Sequence, residues 1–439
     1  MNIICKVSNE DEFDILEKNK RIFNLNDNKF CHYSYFDKKN LKKYLNLPGF
    51  FSAQGIDLLN ISLFVYFADR LIERTTTYDS WTREIKLFIP VLGLEKCNKI
   101  KMKLEKMLKF LSGDYWQIEF RKRDLLEIEN NFSEKILKKK NNIDIKKISM
   151  LSGGLDSYIG AIDLLEDKSK DIIFISHYGG GNDVSPYQKE VISTIIKEFE
   201  LNDNFFIRFH AKALKPKEDT TRTRSFMFFS HAIAVASSFN KEIEIIIPEN
   251  GFISLNIPLT NSRLGSSSTR TTHPYYMKLF QEIINDLEIN VNLYNPYQFK
   301  TKGEMIIECK KLELLKKTLY KTMSCSHSSH GRYEGDSGSH CGYCVPCIIR
   351  KASINKANIE DESVYRKNCH EMKSIKSKTA ITNINSFKIS IEKYKNMKGS
   401  KAFKIQESGP IENNINEYIK IYERGMQEII DLLEEKNEF

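Results

Sequence analysis

The sequence predicts an α/β protein: a doubly wound parallel sheet, preceded by a smaller α+β domain and followed by a cysteine knuckle and helices. Three observations lead there. Between residues 145 and about 300, apolar β-branched runs alternate with helical patterns four or five times, as parallel strands joined by crossover helices do. The first run, Ile145-Lys-Lys-Ile-Ser-Met-Leu151, enters a glycine-rich turn, Ser152-Gly-Gly-Leu-Asp-Ser157, which opens a helical pattern over Tyr158 to Leu165. Beyond the last strand, Cys341-Gly-Tyr-Cys344-Val-Pro-Cys347 places three thiols at two-residue spacing, with Cys325 upstream.

Residues 1–140 make the first domain. Short alternating segments lead to a helix over 56–74; then 79–91 alternates as a strand, 94–111 is an amphipathic helix and 114–123 a second strand. Asp69, Arg70, Arg74, Asp79, Trp81 and Arg83 form a polar cluster here to which the sequence gives no purpose. The second domain, 145–358, carries the strand–helix series and a knuckle at 325–347. Its second strand, Asp171 to Ser176, runs into His177-Tyr-Gly-Gly-Gly181, and the next helix starts with Ser185 as its cap and Pro186 at its first position. After the apolar strand Ile243 to Ile247 comes a loop dense in polar groups. Loops at the carboxyl ends of parallel strands are where such sheets bind ligands. A helix spans 345–358, residues 359–410 read as irregular and polar, and 411–435 as a last helix. No internal repeat is present.

The glycine-rich turn has the chemistry of a phosphate cradle. Gly153 and Gly154 let the backbone turn tightly and bring N–H groups close to an anion, Ser152 and Ser157 add hydroxyl donors, and Leu155 begins a helix whose dipole points at the same place. Asp156 is the odd residue, an anion where phosphate should sit. It is either a helix cap or a ligand for Mg²⁺ bridging phosphates. No Gly-x4-Gly-Lys-Ser/Thr motif occurs, which excludes a Walker-type kinase or ATPase.

The cysteines point to a metal rather than to disulfides. The total of nine is odd, and no secretory leader is present. Cys341, Cys344 and Cys347 with Cys325 supply the four thiolates of a closed tetrahedral zinc site, with His327, His330 and His340 as alternatives for the fourth place. Cys5, Cys31, Cys97, Cys309 and Cys369 read as ordinary thiols.

Ser152-Gly-Gly-Leu-Asp-Ser157 resembles the PP-loop of the ATP pyrophosphatases, whose sheet is of the HUP type. With Cys325…Cys341-Gly-Tyr-Cys344-Val-Pro-Cys347-Ile-Ile-Arg350, the stretch 145–358 resembles the QueC family, the 7-cyano-7-deazaguanine synthases. Arg222-Thr-Arg224-Ser-Phe-Met-Phe-Phe-Ser230 and Asn295-Pro296…Thr301-Lys302-Gly303-Glu304 are similar to that family's intermediate landmarks. The resemblance implies ATP and Mg²⁺ at Ser152, Gly153, Gly154, Leu155, Asp156, Ser157, His177 and Tyr178. It also implies a catalytic set of Asp156, Arg224 and Lys302, the cations neutralising charge around the phosphates, and structural zinc at the four cysteines. Asn250, Asn256, Arg270 and His273 are the implied contacts to a deazaguanine. His177-Tyr178-Gly179 replaces the family's Tyr-Gly-Gln. The added N-terminal domain, Leu58 to Arg70, Asp79 to Ile85, Pro248 to Asn256 and Ser268 to Pro274 resemble the QueC-like group in bacterial anti-phage operons, the QatC type of the Qat system above all. That group implies adenylation of a 7-deazaguanine carboxylate and transfer to an amine, with the N-terminus of a partner protein from the same operon as acceptor. A free nitrile synthase and a tRNA-modifying enzyme are the alternatives.

Composition sets looser bounds. The chain has 439 residues, 41% hydrophobic and 28% charged, enough for two cores. No apolar run reaches membrane-span length, so a soluble cytoplasmic protein is expected. The formal charge is +9, with much of the excess between Lys101 and Lys147. Tyr115, Trp116 and Phe120 are interspersed there, an RNA-binding look that a solvated helix face explains more simply.

Overall fold

A computed structural model describes residues 1–27, 29–33, 38–139, 143–167, 171–179, 184–219, 222–260, 270–328, 338–367 and 378–434. The first 140 residues contribute β1 (Asn2–Lys6), β2 (Lys20–Asn24), β3 (Cys31–Tyr33), α1 (Lys38–Tyr44), α2 (Ala53–Leu71), β4 (Glu84–Val91), α3 (Leu94–Ser112), β5 (Tyr115–Lys122) and α4 (Glu127–Lys139). The series that follows is β6 (Lys147–Met150), α5 (Leu155–Glu166), β7 (Ile172–Tyr178), α6 (Ser185–Phe199), β8 (Phe206–Ala213), α7 (Arg224–Ala236) and β9 (Ile243–Ile246). It ends with α8 (Gly251–Leu255), α9 (Pro274–Asp286), β10 (Val291–Tyr294), α10 (Lys302–Ile307) and α11 (Leu312–Thr318). Four helices close the chain: α12 (Val345–Lys356), α13 (Lys378–Lys395), α14 (Lys401–Gln406) and α15 (Ile415–Glu434).

The larger sheet has the strand order β10-β9-β6-β7-β8-β3 and is parallel except for β3 at its edge. The chain runs β6, β7, β8 outward in one direction, then crosses back to place β9 on the far side of β6. The order therefore reverses between β6 and β9, which makes a crevice at their carboxyl ends. Helices α5 and α6 pack on one face around Tyr158, Ile162, Val191 and Phe206. Helices α7 and α9 cover the other, and against them lie α2 and α3.

Residues 1–140 depart from the α+β expectation. Their sheet, β2-β1-β4-β5, is parallel throughout, so this layer too is α/β. Alternating side chains locate a strand but leave its direction open, and direction was settled by the crossover helices α2 and α3. This layer also lends β3 to the larger sheet and shares one continuous apolar core with it. Ser52 caps α2, and a Cβ on Gly55 would sit 2.3 Å from Ser237 Oγ on α7, so the glycine permits the close crossing of α2 and α7.

Two further expectations change. Residues 359–410 contain α13 and α14 rather than irregular chain alone; Ala380, Ile384, Phe387 and Ile391 form the buried stripe of α13. Ser185 is the first residue of α6 and not its cap, which leaves Pro186 second. Of the three aromatics in the basic stretch, Trp116 is buried and bonded to Ser112 Oγ, and Phe120 packs on the core. Lysines of α3 pair with acids: Lys96 with Glu288, Lys101 with Glu119 and Lys103 with Asp286.

The polar cluster of the first layer is a buried ion network. Arg83 Nη2 lies 2.6 Å from both Asp69 Oδ1 and Asp114 Oδ2, and Arg74 makes a two-pronged contact with Asp114 at 2.7 and 2.8 Å. Removing one member of such a set leaves uncompensated buried charge. Asp114→Ala is therefore expected to lower stability by about 3–5 kcal/mol, read as a shift of the urea midpoint; a loss comparable to an exposed pair would contradict the network's role.

Candidate active site at the switch point of the sheet

The loop after β6 carries Ser152 to Ser157, and the loop after β9 carries Glu249 and Asn250. They meet across the crevice. Gly153 has φ +84°, and a Cβ there would lie 2.7 Å from Gln188 Cγ, so the turn needs glycine twice over. Gln188 Nε2 donates to the carbonyls of Ser152 and His177, both at 2.9 Å, tying the loop to the end of β7. Ser152 and Ser157 hydroxyls lie 3.1 Å apart, and the Ser157 hydroxyl donates to the Gly154 carbonyl at 2.9 Å. Gly154 is the N-cap of α5 and gives it no side-chain bond.

Asp156 is not a helix cap. Its Oδ2 accepts from Asn250 Nδ2 at 2.7 Å and from the Asn250 backbone amide at 3.2 Å; its Oδ1 lies 2.9 Å from Lys302 Nζ. Burial alone would push this carboxyl up, but the Lys302 ammonium and bonds from Glu249 and Asn250 outweigh it and hold the pKa below normal. Glu249 takes the opposite part. Burial and the Asp156 charge beside it raise its pKa well above the usual range, so Glu249 carries the proton of the pair. Sequence reading passed over Glu249, though its place directly after a parallel strand was a usable signal.

Lys302 stands at the start of α10, where Thr301 and Glu304 form a capping box. The Thr301 hydroxyl also donates to Glu428 of α15. Burial pushes the Glu428 carboxyl up to about 7, with the Thr301 and Gly303 bonds and Lys356 opposing and Glu304 adding to the rise. The last helix thus reaches the base of the site.

Arg224 opens α7 from the opposite face of the sheet, beside Tyr66 and within charge reach of His177. Among the described residues it has no acidic partner. His177 itself points away, buried among Tyr66, Phe228 and His231, with Nε2 on the Ala211 carbonyl at 3.1 Å. Tyr178 lies under Arg208, 4.7 Å from the guanidinium.

The remaining candidates separate. Asn250 serves both Asp156 and the cap of α8, accepting from Ile253 N at 2.9 Å. Asn256 ends α8 at φ +48° and lines an 80 Å³ cavity with Phe252, Ile257, Phe387 and Tyr422. Arg270 donates to the Phe110 carbonyl at 2.6 Å and stacks on that ring. His273 caps α9 and meets Ser408 Oγ at 3.2 Å. The described hydrogen bonds of Arg270 and His273 hold α9 to α3 and to the segment before α15, and none reaches Asp156. Ser268 and Thr269, beside them in sequence, lie outside the described residues.

The four cysteines come together. Sγ of Cys325, Cys341, Cys344 and Cys347 all lie within 4.8 Å of one another and all four residues are buried. Ligands about 2.3 Å from a tetrahedral zinc ion stand about 3.8 Å apart; the Cys325–Cys344 and Cys341–Cys347 pairs are each at 3.9 Å. Backbone amides of His327, Cys341 and Cys344 donate to these sulfurs at 3.3 Å. The set can hold a metal ion such as zinc. His340 places its Nε2 on the Thr322 carbonyl at 3.2 Å and its Nδ1 3.8 Å from Cys347 Sγ, and His330 lies outside the described residues. Cys5, Cys31, Cys97 and Cys309 are separate buried thiols, and Cys369 also lies outside.

Knuckle and loop are joined directly. Met323 N donates to the Gly153 carbonyl at 2.9 Å, and Leu155 N reaches Ser324 Oγ at 3.5 Å. Arg350, wholly buried, fixes this segment through Thr322 Oγ1 and the Leu319 carbonyl at 2.7 and 2.9 Å. No protein-family model, curated protein or solved structure matches this chain. No helix among the described residues is long and apolar enough to cross a membrane.

Two measurements check this description. The purified chain should carry one thiophilic metal ion by mass spectrometry, and stripping it should speed hydrogen exchange in 152–155 along with 322–347; exchange confined to the knuckle would break the proposed link. For Glu428, a folded pKa near 7 against an ordinary 4.5 means that the folded state binds the extra proton. Stability from this group is then full below pH 4.5 and lost as pH rises through 7. Glu428→Gln should match wild type at low pH and exceed it by on the order of 2–3 kcal/mol at pH 8; parallel pH profiles would refute the shift.

Proposed function

We propose that this chain is an ATP-dependent ligase of the ATP pyrophosphatase type, acting at the crevice between β6 and β9. It adenylates the carboxylate of a 7-deazaguanine and passes the acyl group to an amine. The observation that carries the ATP reading is the meeting of Asp156, Lys302 and Asn250 beside the amides of the Ser152–Ser157 loop. Lys302 meets this loop through Asp156, and Arg224 is a second cation, at the start of α7, to which no carboxylate pairs among the described residues. A polyphosphate would complete that charge balance.

The chemistry then follows from electrophile and leaving group. A substrate carboxylate oxygen attacks the α-phosphorus, the α–β anhydride bond breaks, and pyrophosphate leaves with its charge met by Lys302 and Arg224. The amine nitrogen attacks the acyl carbon, loses a proton and expels AMP. Positioning decides which amine reacts. Asp156 and the Glu249 carboxyl are the residues that would hold Mg²⁺, which would offset phosphate charge, and zinc is the metal that four thiolates favour. The deazaguanine substrate, and a partner protein's N-terminus as acceptor in anti-phage defence, rest on the resemblance of the loop, the knuckle and the added N-terminal layer to the QatC type.

The full chain with ATP, Mg²⁺ and 7-carboxy-7-deazaguanine should release AMP and pyrophosphate in equal amounts. Lys302→Ala should cut the rate by roughly 10²–10³, the worth of one preorganised charge at the reacting phosphate. ADP and phosphate as products, or an unaffected variant, would overturn the reading. Mass spectrometry of a co-expressed operon neighbour then asks whether its N-terminus carries the base.

A further inference from the structure

Arg224 differs from the other arginines at this end of the molecule. Arg74, Arg83 and Arg222 are each committed to hydrogen bonds, Arg222 through Nη1 to the Ser112 carbonyl at 2.7 Å and across the Trp81 ring at 4.5 Å. Arg224 is part-buried, and among the described residues no carboxylate meets it. Something else must fix where its head group stands. Thr223, the residue before it, is wholly buried and caps α7 without a side-chain bond to the helix it caps. It turns outward instead: its backbone amide and its hydroxyl both donate to Asp69 Oδ2, at 3.2 and 3.0 Å.

Asp69 is itself immobile, wholly buried on α2, with its other oxygen 2.6 Å from Arg83. Arg83 is bound in turn by Asp114, and Asp114 by Arg74. Arg74 also receives the chain just before α7, since its backbone amide donates to Glu218 Oε1 at 2.7 Å. Negative charge at the start of a helix is favourable, so Asp69 suits this place electrostatically as well as sterically. Four buried charges from α2, the turn after it and the β4–β5 edge therefore converge on one backbone position.

We infer that the buried Asp69–Arg83–Asp114–Arg74 network of the N-terminal layer is a positioning device for Arg224, holding it through Thr223 at the start of α7. This assigns the added layer a part in nucleotide binding, whatever else docks on it. The role as a phosphate contact rests on the ATP reading above; the clamp on Thr223 does not.

Thr223→Val keeps the shape and removes the hydroxyl donor, while Thr223→Ser keeps the donor. In Thr223→Val, hydrogen exchange in a peptide over 222–228 should quicken, with the β6 and β9 peptides unchanged. Its affinity for Mg²⁺–ATP should fall about 3- to 10-fold, the effect of one lost buried hydrogen bond. Thr223→Ser should restore both. Added to Arg224→Ala, Thr223→Val should weaken binding no further, because its effect passes through Arg224. Additive losses, or a Thr223→Val protein identical to wild type, would overturn the inference. If wild-type chain binds no ATP, the nucleotide reading fails, and the exchange comparison alone decides whether the network holds the start of α7.

Discussion

A buried carboxylate placed in the glycine-rich Ser152–Ser157 turn organises this molecule. Asp156 is almost wholly enclosed, and an isolated charge there would cost several kcal/mol. Lys302, Asn250 and the protonated Glu249 offset that cost, and they come from two separate parts of the chain, the start of α10 and the loop after β9. The loops after β6 and β9 and the start of α10 are consequently obliged to meet. Sheet topology supplies the place, since in the larger sheet the strand order reverses between β6 and β9. In the proposed function, the Lys302 cation now paired with Asp156 would turn to a phosphate.

Two outlying parts of the chain brace this centre from opposite faces. On one face the N-terminal layer presses α2 against α7 and fixes Thr223 through Asp69. On the other, α15 places Glu428 under Thr301, and the knuckle lays Met323 across Gly153. Buried ion networks contribute little net stability beyond an apolar core of equal volume, but they specify geometry. That would suit the proposed site, whose cations would stand at set distances from a phosphate.

What the sequence disclosed was what is local. The Ser152–Ser157 turn and the Cys341–Cys347 spacing encode their geometry within a few residues, and the helix at 94–111 showed its period directly. Asp114, Gln188, Glu249 and Glu428 stayed hidden because their partners lie dozens of residues away and their own neighbourhoods look ordinary. The helix α13 was missed for another reason: its stripe of Ala380, Ile384, Phe387 and Ile391 has helical spacing, masked by the Lys, Asn and Ser around it. Arg270 and His273 stand out in the sequence because polar residues cluster there, and in the structure they make a cap, a ring contact and a bond to a carbonyl.

The most direct test of the central claim is a crystal structure with an ATP analogue carrying a methylene bridge between the α- and β-phosphorus atoms. The account predicts phosphates lying over the amides of Gly153 to Asp156, Lys302 turned from Asp156 to a phosphate oxygen, and Arg224 on the same group. An analogue bound elsewhere, or saturating analogue with the Lys302–Asp156 pair intact and the loop empty, would contradict it.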